Sequence, residues 1–153
     1  MDKKIKQDTY ELIIAFIKSS SHQKKVTIYS EIVNFLKWKF DYMDWVGFYD
    51  KDEEKDELYL SIYVGDDACE IIPITKGICG KCYSENKTQI VDDVHSLPYH
   101  IACSSSTNSE IVVPVRKDNK VISVLDIDSD EYNSFDEIDK KYLEEIAELL
   151  GGY

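Results

Sequence analysis

Apolar residues recur at helical spacing in two stretches near the start of the chain. Leu12, Ile13, Phe16 and Ile17 form one such set within Thr9–Lys18, and Ile28, Ile32, Leu36 and Phe40 repeat every four residues through Thr27–Phe40. Side chains so spaced make a stripe along one helix face, so both stretches predict amphipathic helices. The period then drops to two. Trp45–Tyr49 is aromatic and β-branched, and Glu57–Val64 carries Leu58, Leu60, Ile62 and Val64 on alternate positions, toward one face of a strand. The charged run Asp50–Asp56 between them predicts a hairpin. Lys76–Asn86 bears glycines and then a short helical pattern, and Thr88–Val91 reads as a brief strand. Asp92–Asn108, which contains Pro98, is a long loop, and a loop of that length in a compact domain is usually functional or disordered. Glu110–Arg116 and Lys120–Asp126 are apolar strands around Lys117-Asp118-Asn119, a hairpin signature. Ser134-Phe135-Asp136-Glu137 reads as a capping box, after which Ile138, Tyr142, Leu143, Ile146 and Leu149 or Leu150 keep helical spacing up to Gly151.

Two hairpins imply an antiparallel sheet, and the flanking helices must bury their stripes against it. The expected class is therefore α+β, with helices packed on one face of the sheet. The other face is free to form a pocket, with Asp92–Asn108 as its roof. A length of 153 residues suits one domain, 1–153, made of N-terminal helices (1–43) and then sheet, pocket loops and C-terminal helix (44–150). No run of ~20 apolar residues is present, and the first residues lack the apolar core of a signal peptide, so a cytoplasmic protein without a membrane association is expected. The net charge of −12 disfavours nucleic acid, because phosphate neutralisation needs clustered Lys and Arg.

The four cysteines, Cys69, Cys79, Cys82 and Cys103, all fall between positions 69 and 103. Burial as small hydrophobes is one reading. A zinc site is a second: Cys79-Gly80-Lys81-Cys82 has paired-ligand spacing, with His95, His100 and Cys103 beyond it, but the usual second ligand pair is missing, so no metal or other cofactor is expected. Thiol redox chemistry is the third. Cys103 sits in the long loop beside Ser104, Ser105 and Ser106, a polar setting that suits a reactive thiol. A neighbouring thiol would convert its sulfenic acid into a disulfide.

Three carboxylates give that thiol a context. Asp126 and Asp128 share parity on a strand and so share a face. If the hairpin turns at 117–119, Glu110 falls across from them. Crowded carboxyls raise one another's pKa, so one keeps a proton that it can donate to a sulfoxide oxygen while the ionised ones hold an ammonium group. A solvated acidic strand end is the simpler alternative. Trp45 and Tyr49 also share parity, as core packing or pocket lining.

These residues together resemble the free methionine-R-sulfoxide reductases, single GAF-domain enzymes. The resemblance covers roughly Trp45 to Leu150. It rests on Trp45-Val46-Gly47-Phe48-Tyr49, Ala68-Cys69, Lys76-Gly77-Ile78-Cys79-Gly80, His100-Ile101-Ala102-Cys103, Ser109-Glu110-Ile111-Val112-Val113-Pro114, Val124-Leu125-Asp126-Ile127-Asp128-Ser129 and Phe135-Asp136. It implies a GAF-like fold, Cys103 as nucleophile, Cys79 and Cys69 as the other mechanistic thiols, and Glu110, Asp126, Asp128, Trp45 and Tyr49 as substrate-binding residues. It implies reduction of free L-methionine-R-sulfoxide through a sulfenic acid and an intramolecular disulfide, thioredoxin as reductant, and a homodimer. The chain departs from the family pattern at Ser104, where an Asp usually follows the nucleophile, in Val64-Gly65-Asp66-Asp67, in its N-terminal helices, and in having Cys82. A GAF module that binds a small molecule or senses redox state without chemistry is the alternative function.

Overall fold

A computed structural model describes residues 1–153. Its elements run α1 (Lys3–Ser19), α2 (Lys25–Lys39), β1 (Trp45–Lys51), β2 (Glu57–Val64), β3 (Ile71–Pro73), α3 (Gly77–Glu85), β4 (Gln89–Val91), β5 (Ser109–Lys117), β6 (Lys120–Ser129) and α4 (Glu137–Leu150). The six strands form one sheet in the order β3-β2-β1-β6-β5-β4, antiparallel throughout. The α+β expectation holds. No helix is long and apolar enough to cross a membrane.

The sheet separates two apolar clusters. On one face Val46, Phe48, Ile111, Val113, Leu125 and Ile127 meet the stripes of α1, α2 and α4, including Tyr10, Ile28, Ile32, Leu143 and Ile146. On the other face Trp45, Tyr49, Val112 and Val124 meet Ile78, Cys79 and Cys82 of α3. Both faces of the central strands are therefore covered, and β5 is buried continuously from Ser109 to Val115. The long α1, α2 and α4 occupy one face as expected. The short α3 lies on the other, where it walls the pocket.

Three local expectations need correction. Leu58, Leu60, Ile62 and Val64 do not share a face. A bulge sets Gly47 opposite Tyr63 but Tyr49 opposite Leu60, so β2 carries one extra residue. Leu60 consequently packs with Leu58 on the pocket side, while Ile62 and Val64 turn to the helical core. The capping box is also shifted: the N-cap of α4 is Asp136, paired reciprocally with Asp139, not Ser134. Ser134 instead bonds Ser129, and Phe135 is buried ahead of the helix. The strand β3 is an addition, a three-residue edge on β2 too short to show a period. The 117–119 hairpin stands as read, with Asp118 and Asn119 both at positive φ, 53° and 63°, the geometry that Asp and Asn tolerate in a two-residue turn.

Candidate active site

β5 and β6 set the floor of the site. Glu110 pairs with Asp128, and Val112 with Asp126, so the three carboxyls project from adjacent positions of one face. On the next strand Trp45 pairs with Asp128 and Gly47 with Asp126. The floor is thus fixed by ladder register in the middle of the sheet.

Above it lies a cavity of about 260 Å³, lined among others by Trp45, Tyr49, Cys79, Cys103, Glu110, Asp126 and Asp128. Seven of the eight residues singled out in the sequence meet there. The eighth, Cys69, is joined to it by a Cys69–Cys103 disulfide with Cα atoms 5.2 Å apart. Cys79 and Cys82 are free and buried. The zinc pattern does not assemble: Cys103 is in the disulfide and His95 bonds Asn108 at 2.8 Å. Three other donors do converge, since Cys79 Sγ and one oxygen each of Glu110 and Asp126 lie within 4.8 Å of one another.

Glu110 and Asp126 are about 6% and 5% exposed. Burial pushes the Glu110 carboxyl well above the usual range, and the charges of Asp126 and Asp128 push it further. Asp128 is raised well up by burial and then by Asp126. Asp126 is raised by burial, against hydrogen bonds from Glu110 and Cys79 that favour its ionised form. One oxygen each of Asp126 and Asp128 is buried with no protein partner, which leaves the floor with acceptors to spare. The floor therefore holds protons and anionic oxygens together, as a donor to a developing oxyanion requires. Burial, followed by the charge of Asp126, pushes the Cys79 thiol up, so this sulfur is held as the thiol. His100 Nε2 stands 4.0 Å from Glu110 Oε2, and its pKa is lowered by burial and by His95, which favours neutral imidazole.

The aromatic wall is locked by hydrogen bonds to the segment before the disulfide. The Trp45 indole N–H donates to the Asp66 carbonyl at 2.9 Å, and the Tyr49 hydroxyl donates to the Cys69 carbonyl at 2.8 Å. The Trp45 ring stacks on Tyr63 and Tyr49, with centroids 5.7 and 6.1 Å away. Gly47 makes this possible: a Cβ there would fall 2.8 Å from Trp45 Cζ3 and 2.7 Å from Tyr63 Cβ.

The roof contains a short 3-10 turn at Val94–Ser96 and is otherwise irregular. Asn108 closes it. Its carbonyl accepts from Val94 N–H, its N–H donates to Ser129, and its side chain bonds His95 and the Asp130 carbonyl. Thr107 Oγ1 donates to Asp128 at 3.2 Å. Sequence reading missed Gly47, Asn108 and Thr107. A glycine inside an aromatic strand was an available signal for Gly47, because it marks close approach; nothing comparable marked Asn108 or Thr107.

Residues 26–152 match the family model described as GAF domain. A free methionine-R-sulfoxide reductase of Saccharomyces cerevisiae is 44% identical over 110 residues, which are 71% of this chain and 61% of that protein. The structure of a free methionine-R-sulfoxide reductase from Neisseria meningitidis in complex with its substrate is similar at a TM-score of 0.90 and 38% identity, over 99% of this chain and 90% of that one. The reduced form of the Staphylococcus aureus protein, at 41% identity, gives 0.85 over 93% and 92%. The antiparallel sheet, its buried carboxyl floor and these likenesses agree, and the chain belongs to the free methionine-R-sulfoxide reductase family of GAF-domain proteins.

Proposed function

We propose that this protein, as one GAF domain spanning 1–153, reduces free L-methionine-R-sulfoxide to methionine. The observation that carries the reading is the Cys69–Cys103 disulfide at a cavity floored by three raised carboxyls. The Cys103 thiolate attacks the sulfoxide sulfur while a protonated floor carboxyl, Glu110 or Asp128, donates to the oxygen. The substrate S–O bond breaks as the oxygen passes to the Cys103 sulfur, so methionine leaves with its sulfur reduced by two electrons and Cys103, oxidised by two, is left as a sulfenic acid. The Cys69 thiol then attacks that sulfur. The S–O bond breaks, water departs and the disulfide forms, so two thiols have supplied the two electrons. A dithiol reductant, thioredoxin in the cytoplasm, returns both thiols. Cys79 stays a buried free thiol in the cavity wall beside Asp126, in place of the resolving role that the resemblance left open to it. Trp45 and Tyr49 pack the thioether end of the substrate, and the enzyme works as a homodimer.

Turnover with resolved R and S sulfoxides and a thiol reductant tests the reading. The R form alone should be consumed, Cys103→Ser should be inactive, and Cys69→Ser should release about one equivalent of methionine and stop. Saturable binding of the sulfoxide with no consumption would make the chain a binding module instead.

A further inference from the structure

The charges around the cavity are lopsided. Besides the three floor carboxyls, Asp44, Asp66, Asp67 and Asp130 line it. Against these seven acids stand only Lys37 and His100, and burial disfavours the charged form of His100. Lys37, near the C-terminal end of α2, is thus the one permanent cation at the site. It forms no ion pair within 4.0 Å with any of the acids beside it. Its ammonium instead rests 4.9 Å from the ring centroid of Trp38, whose side chain is 73% exposed.

A zwitterionic amino acid meets two different demands here. Its ammonium has many acceptors. Its carboxylate would face seven acids, and repulsion from those that are ionised opposes binding in a partly desolvated cavity. We infer that Lys37 is the counter-ion of the ligand's α-carboxylate and makes the pocket select amino acids in which that carboxylate is free. The ammonium leaves the face of Trp38 and pairs with the carboxylate at the rim, while the sulfur end points to Cys103 and the floor. Peptide-linked residues lose the charge that Lys37 reads. This inference rests on the proposed substrate class but is not the same claim as turnover.

Binding therefore tests it without chemistry. Calorimetric titration with L-methionine and with L-methioninamide, which lacks the carboxylate, is run on the reduced protein, on Lys37→Met and on Lys37→Arg. Lys37→Met should weaken methionine by at least about tenfold, the scale of one charge-assisted hydrogen bond, and leave methioninamide unchanged. Lys37→Arg should restore most of the methionine affinity. Equal weakening of both ligands, or of neither, overturns the inference. If the wild type binds methionine through Lys37 yet fails to consume the sulfoxide, the enzymatic reading falls and the carboxylate site stands. If it binds neither ligand, the inference falls, and turnover of the sulfoxide decides the enzymatic reading by itself.

Discussion

Replacing Glu110 with Gln should stabilise the protein, and increasingly so as pH rises. Carboxylate oxygens of Glu110 and Asp126 lie within 4.8 Å. At an effective dielectric of about 20, two full charges at that distance repel by roughly 3.5 kcal/mol, a large part of the 5–15 kcal/mol that holds a typical domain together. The native state avoids this repulsion by keeping a proton, so its Glu110 pKa is raised, by burial first and the neighbouring acids second. In the unfolded chain Glu110 titrates normally, near about 4.3. Below that value both states hold the proton and nothing is lost. Above it the unfolded state sheds the proton and the native state does not, so wild-type stability falls by about 1.4 kcal/mol per pH unit until the native group also ionises. Gln is nearly isosteric and does not titrate. Urea denaturation of both proteins at pH 5 and pH 8 should therefore give a small difference at pH 5. At pH 8 the variant should lead by on the order of 3 kcal/mol, or about 6–12 °C in Tm. Its reductase activity should fall at the same time. A variant less stable than wild type at pH 8, or a difference that does not change with pH, would refute the argument that the floor is electrostatically strained.

Three further outcomes follow from the packing and covalent frame. The Cys69–Cys103 bridge spans 34 residues, so loop-closure entropy makes the oxidised protein more stable by up to about 4 kcal/mol; equal urea midpoints with and without reductant would contradict this. Gly47→Ala should displace the Trp45 ring, raise KM several-fold and alter the near-ultraviolet circular dichroism, and unchanged KM and spectrum would show that the ring is not held by this contact. Asp139→Asn should cost about 3 kcal/mol in urea unfolding. Its carboxylate is fully buried and accepts from Lys6 Nζ, Tyr10 OH and Tyr42 OH, each at 2.7 Å, and loss of one partner strands a buried ammonium. A cost below about 1 kcal/mol would mean that Asp136, 3.1 Å from the same ammonium, suffices.

Legibility in the sequence followed the distance over which each feature is encoded. Helical stripes, the β5–β6 hairpin and the shared face of Asp126 and Asp128 depend on spacing of a few residues, and all were readable. The split of the β2 apolar set was not, because a bulge is a relation between two strands and Glu57–Val64 alone shows unbroken alternation. The box of α4 pairs Asp136 with Asp139, and Asp139 is held in turn by Lys6, Tyr10 and Tyr42, which are remote in sequence. The partner of Cys103 was not readable either, because the bridge spans 34 residues; the folded chain joins it to Cys69 and leaves Cys79 free and buried. Lys37 carried no local signal, since its significance comes only from the acids that other elements bring around it.

The acids and the sulfur sit on different kinds of scaffold. Glu110, Asp126 and Asp128 hang from strands whose alternate residues, Ile111, Leu125 and Ile127, anchor the helical core. Cys103 rides on an irregular segment anchored at its end by Asn108 and tied back by its own bridge. Substitution has unequal freedom on the two. A change in the floor disturbs the whole body, whereas the stretch after Cys103 can drift while the three carboxyls stay in place. Ser104, standing where the family resemblance leads one to expect an Asp, fits the latitude that such a division of labour grants.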